Sequence, residues 1–177
     1  MLVLVGPSAS GKTQITHELI KSYGLKKLVT YTSRKPRVGE VDGIDYHFVS
    51  VEEFESKIKD GFFFEYVEYN KNYYGTAKSD ITADSVVILE PNGVKTYLDK
   101  APELIKICYI RCPKEILRIR MIERGDDAES IKLRLAKDEY IFNAEIRALA
   151  DWQIDTGASN IKANALDVYK KYEKSLR

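Results

Sequence analysis

The first thirteen residues, MLVLVGPSASGKT, leave this chain few folds to choose from. Leu2-Val3-Leu4-Val5 is a short apolar run without charge, as a strand buried on both faces requires. Gly6-Pro7-Ser8-Ala9-Ser10-Gly11-Lys12-Thr13 then matches G-x-x-x-x-G-K-[ST] in full. In that pattern the glycines let the backbone fold tightly and turn its N–H groups around phosphate oxygens. The lysine adds a point charge for the terminal phosphates, and the Thr13 hydroxyl can ligate Mg²⁺. Ile15, Leu19 and Tyr23 recur at helical spacing, and Gly24 sits where a C-cap would. Strand, loop and helix are therefore all expected, with the helix N-terminus aimed at the bound anion.

Further apolar strands are expected at 28–31, 86–89, 105–110 and about 152–155, most of them separated by helical patterns. That alternation reads as an α/β, doubly wound sheet of five parallel strands with the phosphate loop at its carboxyl edge. The stretch 33–83 breaks the alternation. Asp45–Val49 reads as a strand, and Ser50 with Glu53 forms a capping box for a helix over Val51–Lys59, ended near Gly61. Phe62–Tyr69 and Tyr73–Thr76 flank Asn70-Lys71-Asn72, a hairpin-like turn. This is a small, mostly β insertion. Downstream, Pro113 is expected at the first position of a helix over Lys114–Glu123. Glu129–Ala150 reads as one long amphipathic helix, Trp152–Thr156 as a strand and Asn160–Leu176 as a last helix.

Composition narrows the function. A formal net charge of +1 gives no bulk attraction to nucleic acid or to a membrane surface. No run of 18 apolar residues occurs, and Met1 opens directly on the first strand, so a cytoplasmic location is expected. Cys108 and Cys112 lack metal-site spacing, and with only two histidines a zinc site is not expected.

Two more motifs complete the pattern. From Ser33 to Tyr46 runs S-R-K-P-R-V-G-E-V-D-G-I-D-Y, with Arg34 and Arg37 three apart in a turn-rich loop. The planar guanidinium fork suits phosphate better than a point charge. Glu65 precedes Asn72-Tyr73-Tyr74-Gly75-Thr76. With the phosphate loop, these motifs resemble the guanylate kinase family, in order and spacing, over nearly the whole chain. The resemblance implies a P-loop three-layer fold with a five-stranded parallel sheet, a core of 1–32, 84–120 and 136–177, a nucleoside-monophosphate-binding insertion at 33–83 and a helical lid at 121–135.

It also implies roles. Gly6 through Thr13 bind ATP, with Thr13 on the metal. Arg34, Arg37, Tyr46 and Tyr74 hold the GMP phosphate, while Glu65, helped by Thr30 and Thr76, reads the base. Guanine presents two adjacent donors, N1–H and N2–H₂, that one carboxylate can accept together; adenine would face it with an acceptor. Glu90 is grouped with the acceptor site, and Lys12, Arg34, Arg120, Arg124 and Arg134 with catalysis. The implied reaction moves the γ-phosphoryl of MgATP to GMP or dGMP. The implied partners are small nucleotides, without nucleic acid or membrane, in a monomer or weak homodimer.

Three departures stand out. Ile88 occupies the first acid of the family's D-x-D-x-Q-G stretch, Arg124 to Arg134 is one residue short, and Asp155 or Thr156 stands where an adenine-contacting asparagine is usual. Ile88 and the short lid keep open a kinase for another monophosphate; a catalytically inactive guanylate-kinase-like binding module is a separate alternative, against which the intact phosphate loop and lid arginines stand. A GTPase would want N-K-x-D, which Asn70-Lys71-Asn72-Tyr73 lacks.

Overall fold

The computed structural model describes residues 1–37, 39–69 and 71–177. Val38 of the arginine loop and Asn70 of the expected turn lie outside the described residues. The chain divides into two compact units, Met1–Lys27 with Val86–Arg177, and Leu28–Ser85.

In the first unit, strands β1 (Leu2–Val5), β2 (Lys26–Lys27), β7 (Ser85–Ile88), β8 (Lys106–Arg111) and β9 (Trp152–Asp155) lie in the order β2-β7-β1-β8-β9. β1 pairs in parallel with β7 and β8, and β8 with β9. All four β1 side chains are fully buried, which is why the run carries no polar alternation. Helix α1 (Lys12–Tyr23) leaves the phosphate loop and ends at Gly24 in the left-handed conformation, φ 72°. Ile15 and Leu19 of α1 join Leu2, Leu4, Cys108 and Ile110 of the sheet and Val168 and Tyr172 of α7 (Ile161–Ser175) in one apolar cluster. Tyr23 stacks on Tyr169 at 4.5 Å between ring centroids. Helices α3 (Pro91–Lys100), α4 (Lys114–Glu123), α5 (Ala128–Ile141) and α6 (Ala144–Ala148) complete the unit.

In the second unit, strands β3 (Tyr31–Thr32), β4 (His47–Phe48), β5 (Phe63–Tyr69) and β6 (Asn72–Ala77) lie in the order β4-β3-β6-β5. Helix α2 (Val51–Lys59) starts on the capping box: the Glu53 N–H donates to Ser50 Oγ at 3.1 Å, and the Ser50 N–H to Glu53 Oε2 at 2.9 Å. Phe54 of α2 is fully buried and stacks on Phe63 and Tyr73, fixing the helix on the hairpin.

Three expectations are corrected. The helix expected over 129–150 is two, because the chain leaves helical geometry at Phe142 and restarts with Asn143 as N-cap, its Oδ1 accepting the Ile146 N–H. Pro113 is the N-cap of α4, with ψ 140°, rather than its first helical residue. The strands expected at 28–31 and 45–49 shrink to Tyr31–Thr32 and His47–Phe48, with Lys26–Lys27 pairing instead in the other sheet. No described helix is long and apolar enough to cross a membrane.

Candidate active site

In the first unit the phosphate loop is an arch held from outside itself. Gly6, φ 151°, passes so close to β8 that a Cβ there would lie 2.3 Å from the Ile110 carbonyl oxygen. Ala9 sits at φ 59°, a left-handed conformation that costs a non-glycine residue about 1–2 kcal/mol. Such strain persists where surrounding contacts over-determine it. Three do so here. The Ser8 N–H donates to Asp138 Oδ2 at 2.6 Å, Arg120 Nη1 donates to the Ala9 carbonyl at 3.3 Å, and Thr156 Oγ1 donates to the Ser10 carbonyl at 2.9 Å. Thr156 has no solvent exposure, and Arg120 Nη2 donates to its carbonyl at 2.6 Å. The first N–H groups of α1 have no partner within their own helix and are open to an anion.

Lys12 Nζ folds back on the arch, donating to the Gly6 and Pro7 carbonyls at 2.6 and 2.7 Å. Burial pulls its pKa down to about 8, against the attraction of Asp138 and Glu90, which favours the charged form. Lys12, Glu90, Asp138, Ser8 and Ile88 line a cavity of about 140 Å³. A second cavity, of about 570 Å³, is lined by Ala9, Gly11, Lys12, Thr13, Gln14, Arg120, Glu123 and Arg124. Arg124 forms a two-pronged pair with Asp126, with Nε 3.0 Å from Oδ1 and Nη2 on Oδ2, and the pair holds the Asp126 carboxyl below its ordinary range. Arg134 is exposed on α5 and does not line the cavity that Arg120 and Arg124 share.

The second unit gathers the arginine loop and the hairpin. β3 pairs with β6 so that Thr32 opposes Tyr74, and Ser33 and Tyr73 exchange backbone and side-chain hydrogen bonds. That register brings Arg34 to the aromatic residues: its Cζ lies 5.4 Å from the Tyr46 ring centroid, and the Tyr46 and Tyr74 rings meet edge to face at 6.1 Å. Arg34 Nη2 is held by Glu40, at 2.8 and 3.0 Å from its two carboxylate oxygens, and the Arg37 N–H donates to Glu40 at 2.7 Å. The Arg34 hydrogen bond, then that of the Arg37 N–H, hold the Glu40 carboxyl below its ordinary range. The Arg37 side chain is exposed. β5 pairs with β6 so that Glu65 directly opposes Thr76, whose hydroxyl donates to Glu65 Oε1 at 2.7 Å. Glu65 is half-buried and Thr76 is buried. No described hydrogen bond joins Thr30 to Glu65; the Thr30 carbonyl accepts the His47 N–H.

Thus Arg34, Tyr46 and Tyr74 come together, as do Glu65 and Thr76, while Glu90 belongs to the first unit beside Lys12. Sequence reasoning missed Asp138 and gave Thr156 no structural part. Their partners stand 130 and 146 residues away, and nothing local marks either residue.

The model of the guanylate kinase family matches residues 1–154. The chain belongs to the guanylate kinase family. Among its relatives, the guanylate kinase of Clostridioides difficile strain 630 is 36% identical over 169 residues, covering 85% of this chain and 82% of that one. The guanylate kinase of Maricaulis maris strain MCS10 is 39% identical over 150 residues, covering 78% and 69%. The crystal structure of guanylate kinase from Anaplasma phagocytophilum superposes with a TM-score of 0.67 at 22% identity, covering 99% of this chain and 85% of that one, a likeness of fold. The fold extends beyond the family: the shikimate kinase of Acinetobacter baumannii gives a TM-score of 0.56 at 14% identity, covering 98% and 93%.

Proposed function

We propose that this guanylate kinase family member transfers the γ-phosphoryl group of ATP to GMP or dGMP, giving ADP and GDP or dGDP. The acceptor phosphate oxygen is itself the nucleophile, so the protein has to bind, align and neutralise charge. Gly6 to Thr13 cradle the donor phosphates, and Lys12 leaves its carbonyl partners for the β- and γ-phosphoryl oxygens. Arg120 and Arg124, beside the same cavity, neutralise the charge that spreads over the transferring group. The segment 121–135 serves as the lid, with Arg134 as its outlying cation. Arg34, Arg37, Tyr46 and Tyr74 hold the acceptor phosphate, Arg34 and Arg37 exchanging part of their hold on Glu40 for it.

The observation that supports the base assignment is the Glu65–Thr76 pair. Thr76 donates to one carboxylate oxygen and orients the group, leaving acceptor capacity for the two adjacent donors of guanine. The oxygen donors Thr13 and Glu90, both exposed and both beside Lys12, suit Mg²⁺. When bound there, such an ion would neutralise part of the charge on the donor phosphates.

The test is a panel of GMP, dGMP, AMP, CMP and UMP with ATP and Mg²⁺, reading ADP release and the diphosphate formed. GMP and dGMP are expected to exceed the others in kcat/KM by about 10²-fold or more, the selectivity of a site whose buried polar group loses its partner. Equal or greater use of another monophosphate, or ATP binding without transfer to any of them, overturns the proposal.

A further inference from the structure

We infer that Asp138 is a positioning residue of the donor site: reaching from α5, its carboxylate holds the Ser8 N–H and so keeps the phosphate arch in the shape that receives ATP. The inference rests on the reading of Gly6–Thr13 as the ATP site.

A carboxylate in the last turn of a helix, only 7% exposed, calls for a physical reason. Aspartate is a poor helix former there, and burying its charge is costly unless hydrogen bonds and opposite charge compensate. Here the compensation comes from the phosphate loop: the Ser8 N–H at 2.6 Å and the Lys12 ammonium, which Asp138 attracts. Strand β7, which ends beside Lys12, carries Ile88 at that edge of the same cavity and supplies no charge there. Glu90, just past β7, is one acid on that cavity, and Asp138 adds another from a helix 130 residues beyond Ser8.

The arch needs such a tie. Its underside is not packed solid, because a cavity of about 210 Å³ lies against Pro7, lined by Tyr109, Cys112, Leu117, Phe142 and Asp138 among others. Asp138 also lines the 140 Å³ cavity with Gly6, Ser8 and Lys12, so it stands between the two spaces that flank the loop. Strained Ala9 follows Ser8 directly. With Ser8 released, the described ties that reach the arch from outside the loop are those at the Ala9 and Ser10 carbonyls, and the N-terminal side of Ala9 is left to Lys12 of the motif itself. Asp138 is itself well placed: its carbonyl accepts the Phe142 N–H at 2.9 Å, and the Phe142 carbonyl accepts the Tyr109 hydroxyl of β8 at 3.3 Å. The break between α5 and α6 thus anchors the end of α5 to the same strand that backs Gly6.

Because the tie is to the donor loop, its loss falls on ATP. In Asp138→Ala, kcat/KM for ATP is expected to fall at least about tenfold, while KM for GMP moves less than twofold. Asp138→Asn, whose amide oxygen can still accept the Ser8 N–H, is expected to recover to within about threefold of the parent. Glu139→Ala, an exposed acid one residue away that pairs with Lys114, is the control and should leave both substrates unchanged. Titration with a fluorescent N-methylanthraniloyl ATP reads donor binding without turnover. A parent protein that binds this probe yet transfers phosphate to no acceptor refutes the proposed reaction, while the probe affinities of the variants still test Asp138. Unchanged ATP parameters in Asp138→Ala overturn the inference, and so do equal losses for ATP and GMP accompanied by a lower Tm. If Asp138→Ala does not fold, Asp138→Asn carries the test: ATP affinity reduced more than tenfold at a normal Tm overturns the role of the Ser8 hydrogen bond.

Discussion

In the proposed function the two units meet the same demand, holding phosphate, with different kinds of cation. In the first, Lys12 is desolvated and bound to the carbonyls of its own loop, and the loop is fixed by Asp138, Arg120 and Thr156. In the second, Arg34 is only partly buried and satisfied by an acid six residues away, and the exposed Arg37 shares that acid through its backbone. A buried amine interacts strongly with an arriving anion because little water screens it. A guanidinium beside water needs a planar, two-pronged partner to gain as much; Glu40 meets Arg34 through Nη2 alone, and in the proposed function a phosphate takes over part of that hold. On that reading one site is made by constraint and the other by exchange.

That contrast can be broken by substitution. The largest effect is expected from Lys12→Ala, a loss of about 10²–10³-fold in kcat, the range for removing one preorganised donor at a developing charge, with Tm close to that of the parent. Unchanged turnover would end the assignment of the first unit as donor site. Next comes Glu65→Gln, expected to cost about 10²-fold in kcat/KM for GMP, because its amide would point N–H at guanine's own donors, while KM for ATP holds within about twofold. Comparable losses for both nucleotides would count against a base-reading carboxylate.

The pH dependence sharpens the difference. Lys12 must be protonated to attract phosphate, and with its pKa lowered to about 8, kcat/KM for ATP should decline above about pH 8, tenfold per pH unit once well past it. Bound ATP favours the charged amine, so the limb in kcat should lie at higher pH than the limb in kcat/KM. Arginines remain charged throughout, so GMP affinity should show no such limb between pH 8 and 9. Coincident limbs for both substrates would remove the distinction. The smallest effect is expected from Glu40→Gln: a rise of about threefold in KM for GMP, as Arg34 and the Arg37 backbone lose their common brace, and none for ATP. A lower KM would recast Glu40 as a competitor of the substrate.

Legibility in the sequence followed the range of the interaction. The capping box at Ser50 and Glu53 and the left-handed Gly24 at the end of α1 are local hydrogen-bond chemistry, so a few adjacent residues declare them, while the strand entering the phosphate loop shows in its unbroken apolar run. Glu65 and Thr76 are grouped by the resemblance alone, and the β5–β6 ladder sets them opposite each other. The break at Phe142–Asn143 was hidden because an amphipathic pattern runs through it, and only the cap on Ile146 and the contact with Tyr109 choose two helices over one. Asp138 and Thr156 were illegible in a stronger sense. A lone carboxylate on a helix and a lone hydroxyl after a strand look like ordinary polar positions until the fold brings them to Ser8 and Ser10.

Thr156 carries a practical consequence. It lies two residues past the stretch that the family model matches, 1–154, and every signature residue precedes it. A fragment excised at that border would contain the complete set of motifs and yet lack the bolt that fastens Ser10 to the end of β9, together with the α7 ring that stacks on Tyr23. Where such a domain is cut for expression, or grafted into another protein, the boundary that preserves the machine is drawn by its hydrogen bonds rather than by its motifs.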